Sequence, residues 1–469
     1  MKYISTRQNA PTLTFEDVVL QGLASDGGLY VPEFLPQFSA SEMKEMAKLN
    51  YKDLVFKIIA PFTGGQIASN DLKKIIDKSY KNFSHIAIAP FKQISHNEYL
   101  LELFHGPTLA FKDFALQLLG NLFDYLLTKR NQKVVVIGAT SGDTGSAAIM
   151  GCKLCKNARI FILHPYNRVS DVQRKQMTTV LDSNVHNIAV KGNFDDCQAM
   201  VKEMFSDQSF LKGKKMVAVN SINWARIMAQ IVYYFYCALR LGAAENNPVS
   251  FSVPTGNFGD IYAGYLAKRM GLPIKKLIVA TNSNDILTRF INNNDYSRHD
   301  LVDTLSPSMN IQVSSNFERL LFDVHKQQNE DKNTVANLMN EFKSSGKLQV
   351  KNNILKIIKK DFDSYSIDDD KTCKLIKELY GQTEEVIDPH TIAGIGAGRE
   401  YAKTKEYSGE PIITLATAHP AKFPEAINKA KVPAANLPPF LSDLMERKEK
   451  MEIIANDINK VKEFIGNNC

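Results

Sequence analysis

Short runs of aliphatic and β-branched residues alternate with amphipathic stretches along most of the chain. Lys133-Val134-Val135-Val136-Ile137 leads into the turn Gly138–Gly145 and then into Ser146–Ile149. Val249–Val253 leads in the same way into Pro254–Asp260 and then Ile261–Met270, and Arg159–Leu163 and Lys275–Ala280 are two further runs. Apolar runs of this length, closed by glycine turns and followed by helical patterns, predict strands buried on both faces. That means an α/β fold, with parallel sheets and helices on both sides. This texture begins near Phe91. Ahead of it, residues 1–90 read as a small leading domain, punctuated by Gly27–Pro32 and holding a helical stretch around Asp71–Tyr80. Between Asn329 and Tyr380 the chain is rich in Lys, Asn and Asp, with helical periodicity and few turn signals. This predicts a helical insertion at the surface, spanning about 285–385. Beyond Pro433 and Pro438-Pro439 the tail reads as one amphipathic helix packing back on the body.

Length adds a domain count. A single core stops growing at about 250–300 residues, so a chain of 469 residues divides. The expected division is 1–90, 91–215 and 216–469, the last including the insertion and the C-terminal helix. Composition is that of a globular protein, at 44% hydrophobic and 23% charged, which excludes disorder. No uncharged apolar run reaches about 18 residues, so no membrane span is expected. Lys and Arg number 57 against 50 Asp and Glu, and the excess is spread along the chain. Without a basic patch, a nucleic-acid partner is not expected, whereas an anionic small molecule suits the balance. Met1–Arg7 has no apolar h-region, and six Cys in this length make no disulfide framework, so the expected compartment is the cytoplasm. Composition leaves monomer and homodimer equally open.

Two strand–glycine–helix turns carry the first chemical signal. At such a turn several backbone N–H groups point outward at the positive end of a helix, a ready site for phosphate or carboxylate. Gly138–Gly145 lacks the Gly-Lys-Ser/Thr of a nucleotide P-loop, and Gly256-Asn257-Phe258-Gly259 is not G-x-G-x-x-G. Gly394-Ile395-Gly396-Ala397-Gly398 comes near the dinucleotide fingerprint but lacks its last glycine. Glycines that merely let the chain turn are the alternative; two such loops in one α/β chain favour anion binding. The second signal is Lys112, set between Phe111 and Phe114 after Leu109-Ala110. An amine in an apolar cleft loses its proton more readily and can form a Schiff base. The alternative is a snorkelling helix lysine.

The segments His105–Ala115, Ala139–Ala148, Pro254–Asp260 and Leu415–Phe423 closely resemble the threonine synthase family of fold-type II pyridoxal-phosphate (PLP) enzymes. Tyr3–Arg7, Gly27–Pro32 and Asn220–Ile227 share the likeness, which runs in order along nearly the whole chain. The resemblance implies two doubly wound α/β domains beside the small N-terminal domain and the insertion. It implies PLP held on Lys112, and the cofactor phosphate cradled by Gly256, Asn257, Phe258, Gly259 and Asp260. The family often has Asn at position 260; a carboxylate there repels phosphate, so Asp260 is expected to turn away or to act through its N–H. Thr417 is implied to face the pyridine nitrogen, leaving it unprotonated and the ring a weaker electron sink. Thr140, Ser141, Gly142, Asp143 and Thr144 correspond to the loop that receives the substrate's α-carboxylate. Arg168, Arg174, Asn223 and Arg226 are candidate donors to the substrate's phosphate. The implied reaction is the conversion of O-phospho-L-homoserine and water to L-threonine and phosphate by β,γ-replacement, the last step of threonine biosynthesis. A PLP-dependent phospho-lyase releasing a 2-keto acid would share these motifs. A non-catalytic binder of phosphorylated metabolites is the more distant alternative.

The remaining residues read more plainly. Cys152 and Cys155 form a lone C-x-x-C without a nearby His, expected as two buried thiols, and no metal site is expected. His105 and His419 are expected to orient their loops. Asp388-Pro389-His390-Thr391 is family-like, with no physical role evident in the sequence.

Overall fold

The computed structural model describes residues 1–207, 209–218 and 220–469. Two sheets organise them. A five-stranded sheet, parallel throughout, runs in the order Glu452–Ala455, Val185–Lys191, Ala158–Pro165, Val134–Ala139, Lys215–Ala218. A six-stranded sheet runs in the order Phe362–Ser366, Ile274–Thr281, Val249–Pro254, Ile412–Ala416, Glu98–Glu102, Phe91–Ser95, and only its last pair is antiparallel. All four strands anticipated from apolar runs are present at those positions. Their side chains are buried along nearly their whole length, as the absence of period-2 alternation requires.

The sheets do not follow the expected division at 91 and 215. Phe91–Ser95 and Glu98–Glu102 belong to the six-stranded sheet, and Lys215–Ala218 belongs to the other. The tail is not a single helix. Glu452–Ala455 pairs parallel with Val185–Lys191, and only then does the helix Ile458–Asn467 begin, capped by Asp457. Nor is 285–385 a purely helical surface insertion. It holds the helices Ile286–Asn293, Phe317–Gln327, Thr334–Ser345, Asn352–Asp361 and Asp369–Thr383, and also supplies the edge strand Phe362–Ser366. Arg319 within it is fully buried, donating to the carbonyls of Tyr30 (2.9 Å) and Ile222 (2.7 Å).

The leading segment pairs Tyr3–Ser5 with Tyr30–Pro32 and adds four helices, one of them Ser69–Tyr80. Its core is continuous with that of the rest: Trp224 lies 5.9 Å from the Tyr3 ring and 5.7 Å from Phe62. Trp224 opens the helix Trp224–Arg240, which is buried on all sides almost to its end. The helix Lys112–Lys129 packs against Asp143–Cys152 at the closest possible approach. A Cβ on Gly120 would lie 1.9 Å from the Gly151 carbonyl oxygen, and one on Gly151 would lie 2.3 Å from that of Leu116. This glycine contact sets Lys112 and Asp143, the first residues of the two helices, side by side. Among the described residues, no helix is long and apolar enough to cross a membrane.

Candidate active site

A cleft forms where the carboxyl ends of strands from both sheets release their loops, the usual place for a ligand in an open α/β sheet. Val249–Pro254 releases 255–258, Ile412–Ala416 releases Thr417 and Ala418, and the helix of Lys112 starts beside them. Residues 103–111 run along 416–419, tied by Phe111 N to Thr417 O (2.9 Å) and His419 N to Leu109 O (3.0 Å). The turn before Lys112 is pinned by Asp113, whose carboxylate accepts from the Thr108 N–H and hydroxyl, each at 2.8 Å.

Lys112 is buried, with Nζ 3.1 Å from Asp143 Oδ2 and 4.9 Å from the centre of the Phe111 ring. Burial lowers the pKa of its ammonium, with further lowering from Lys422 and Arg226, while Asp143 opposes them. Asp143 receives more than Lys112. Lys422 Nζ lies 2.7 Å from Oδ1, Gln173 Nε2 2.8 Å from Oδ1, and Ser308 Oγ 3.3 Å from Oδ2. Burial alone would raise this carboxyl, but the two lysines hold it well below the usual carboxylate range.

The loop 255–258 is built to leave the amides of residues 256–258 free. Ser314 Oγ donates to the Gly256 carbonyl (2.7 Å), and the Asn316 backbone and side chain both donate to that of Asn257 (3.0 and 2.9 Å). Phe258 is held at φ +60°, in the left-handed region, by burial against Phe317 and Phe362. The helix Gly259–Arg269 follows directly. Among the described residues, the N–H groups of Gly256, Asn257, Phe258, Gly259 and Asp260 donate to no protein acceptor. A Cβ at Gly256 would come within 2.9 Å of the Ser308 carbonyl oxygen. Free amides at a helix N-terminus make a phosphate cradle. The Asp260 side chain turns to the helix Trp224–Arg240, where Oδ1 accepts from Tyr233 (2.5 Å) and Tyr234 (2.9 Å). Its Oδ2 is buried without a partner among the described residues, and burial raises the carboxyl to about 6.

The other expected residues divide. Thr417 lines the cleft, and so does Arg226, a buried guanidinium whose Nε and Nη1 have no partner. Burial lowers Arg226 to about 10, which leaves it cationic at neutral pH. In the 140–144 loop, Asp143 and Thr144 line the cleft, whereas Thr140 Oγ1 is engaged by the N–H groups of Gly142 and Gly145, both at 2.9 Å. Ser141 is exposed, and the N–H groups of Ser141, Asp143 and Thr144 donate to no protein acceptor among the described residues. Asn223 does not reach the cleft: it caps Trp224–Arg240 through Ala225 N and donates to Val19 O. Arg174 is engaged by Glu449 and Asp171, and Arg168 is exposed. His105 holds Glu102 at 2.7 Å. His419 caps the turn Pro420–Lys422, and burial lowers it to about 4. Cys152 and Cys155 are buried free thiols, and Gly394–Gly398 lies inside the buried helix Pro389–Tyr401.

Several residues in and behind the cleft wall have roles that the sequence did not show. Asp388, family-like in sequence but without an evident role there, caps Pro389–Tyr401 and accepts from His390 Nδ1 (2.9 Å) and the Thr391 hydroxyl. His390 Nε2 accepts the Ser308 N–H at 3.2 Å, so its proton sits on Nδ1. Thr391 Oγ1 accepts the Thr417 N–H at 3.2 Å. Asp388 thus ties the Thr417 and Ser308 segments to one helix end. Lys422 sits between Ala421 and Phe423, the same apolar setting that flagged Lys112, and could have been found by it. Elsewhere, an open hollow of about 720 Å³ lined by Ser283, Arg298, His299 and Asp300 is a surface depression of exposed side chains.

A buried amine, a phosphate cradle of free amides and a hydroxyl across the cleft are a donor set that fits PLP. Residues 87–341 match the family model described as pyridoxal-phosphate dependent enzyme, and the chain is one of that class. Residues 2–80 match the model of the threonine synthase N terminus, and residues 391–465 that of the threonine synthase C-terminal region. The threonine synthase of Pseudomonas aeruginosa is 57% identical over 467 residues, covering 99% of this chain and 98% of that protein. The crystal structure of PLP-bound threonine synthase from Brucella melitensis superposes with a TM-score of 0.96 at 47% identity, covering 100% and 99% of the two chains. That of yeast threonine synthase gives 0.94 at 42%, covering 100% and 98%. The chain belongs to the threonine synthase family.

Proposed function

We propose that the chain converts O-phospho-L-homoserine and water to L-threonine and phosphate, in the cytoplasm, as a monomer or homodimer. The observation that carries this reading is the Lys112 amine, buried in the lining of a cleft beside a cradle of free amides. Lys112 would hold PLP, residues 256–260 its phosphate, and Thr417 would face the ring nitrogen. When bound, PLP supplies an electron sink for charge that develops at the substrate's α-carbon. A neutral Thr417 hydroxyl leaves that sink weak, so proton placement by the protein matters more.

The Lys112 amine, with its pKa lowered by burial, is the base set to take the proton from the α-carbon, and a second proton then leaves Cβ. The free N–H groups at 141, 143 and 144 would hold the α-carboxylate at the start of the helix Asp143–Cys152. Arg226, buried and with Nε and Nη1 free of partners among the described residues, would hold the substrate phosphate as the Cγ–O bond breaks and the phosphate leaves with the electron pair. Cγ then takes the proton that left Cβ, and water adds at Cβ: its oxygen keeps one proton as the threonine hydroxyl, the other goes to the released phosphate, and the α-carbon regains its own. The test is to supply phosphohomoserine to the PLP-loaded protein and identify the products. Threonine and phosphate in equal amounts support the assignment. Release of 2-oxobutyrate with ammonia would show the phospho-lyase reaction instead, and no uptake of PLP would reduce the site to a binder of phosphorylated metabolites.

A further inference from the structure

Lys422 is fully buried at the end of the turn Pro420–Lys422, with Nζ 2.7 Å from Asp143 Oδ1 and 2.7 Å from the Thr108 carbonyl. It does not line the cleft, while Lys112 does. One buried carboxylate therefore stands between two lysines, one facing the ligand space and one facing the interior. We propose that Lys422 is a positioning residue for the Lys112 amine: as the standing counter-ion of Asp143, it frees Lys112 to change partners without stranding a buried carboxylate.

The inference rests on Lys112 being the residue that holds PLP. For that task its amine must lose its proton and leave Asp143, and a buried carboxylate deprived of its only cation is strongly unfavourable. With Lys422 in place Asp143 keeps a cation on Oδ1, together with Gln173 on the same oxygen and Ser308 on the other. Two ammonium groups on one carboxylate also leave one positive charge in excess. The lysine that gives up a proton is the one at the cleft, because Lys422 has both Asp143 and the Thr108 carbonyl as acceptors. The charged groups facing Lys112 are Asp143 from the helix Asp143–Cys152, Lys422 from its turn, Arg226 from Trp224–Arg240 and Asp260 from Gly259–Arg269. Removing Lys422 takes away a like charge and leaves Asp143 to Lys112 alone, and both changes strengthen the hold on the Lys112 proton.

The experiment is the pH dependence of PLP capture by the apoprotein, followed by absorbance. In this step the neutral amine condenses with the aldehyde: a C=N bond forms and one water is released. Lys422→Met should shift the rate profile at least one pH unit upward, slowing capture about tenfold at neutral pH. Lys422→Arg should restore the profile to within about twofold. A merely structural role for Lys422 would lower the rate equally at every pH, and an unmoved profile in Lys422→Met overturns the proposal. A wild-type measurement stands beside the variants: reductive ¹³C-methylation of the apoprotein, with NMR titration of Lys112. Lys112 should titrate below an ordinary lysine amine, and an unshifted or raised Lys112 overturns the proposal without recourse to a variant. If PLP settles on a lysine other than Lys112, the reading of the site itself fails, and the position of the label shows it.

Discussion

Replacing Asp260 by Asn should stabilise the apoprotein, by an amount that depends on pH. The Asp260 carboxyl is buried beneath the phosphate loop, with two tyrosine hydroxyls on Oδ1 and nothing on Oδ2. Burial raises it to about 6, against the opposing pull of both tyrosines and of Lys112. An exposed aspartate titrates near about 3.9, and each pH unit between the two values is worth about 1.4 kcal/mol, or about 3 kcal/mol in all. The sign follows from proton counting. Between about pH 4 and 6 the unfolded chain has released this proton and the folded one keeps it, so stability falls as pH rises through that window. Above about pH 6 wild type carries the full penalty of a buried ionised carboxylate, which the isosteric Asn lacks. Urea unfolding of the two apoproteins from pH 4 to 8 measures the difference. Asp260→Asn should gain about 3 kcal/mol over wild type at pH 7, with the gap closing near pH 4. A gap that stays constant with pH, or that widens toward pH 4, would refute the reasoning.

Two further substitutions probe the cleft and its scaffold. Arg226→Gln removes a guanidinium whose Nε and Nη1 have no partner among the described residues, so stability should hold or rise. Loss of charge-assisted bonds of about 1.5–3 kcal/mol should lower kcat/KM for phosphohomoserine about 10- to 100-fold, and steady-state kinetics would expose an unaffected enzyme. Gly120→Ala drives a methyl to within 1.9 Å of the Gly151 carbonyl oxygen, which backbone movement alone can relieve. It should cost at least about 1–3 kcal/mol in urea unfolding and weaken PLP binding as Lys112 and Asp143 separate; wild-type values for both would contradict the helix contact.

The strands of both sheets that carry continuous aliphatic runs were legible because burial on both faces leaves no polar positions. Phe362–Ser366 was not, because an edge strand reading Phe-Asp-Ser-Tyr-Ser has no such run and sits among helical patterns. The pairing of Glu452–Ala455 with Val185–Lys191 joins residues more than 250 positions apart, and nothing local encodes it. In the site, Lys112 and the loop 256–260 were visible because their chemistry is local: an amine among apolar neighbours, and glycines at a strand–helix turn. Asp143 and Asn223 also have roles that their spacing does not show. The first is an ion-pair partner and the second a helix cap, roles set by Lys422 and by Val19, far away in sequence. Asp388 and His390 act by bridging segments that meet only in the fold.

Borohydride reduction of the PLP-loaded protein, followed by peptide mass spectrometry, bears most directly on the central claim. The pyridoxyl label should fall on Lys112 alone. Its appearance on Lys422, the other lysine on Asp143, or on any residue outside the cleft would contradict the assignment.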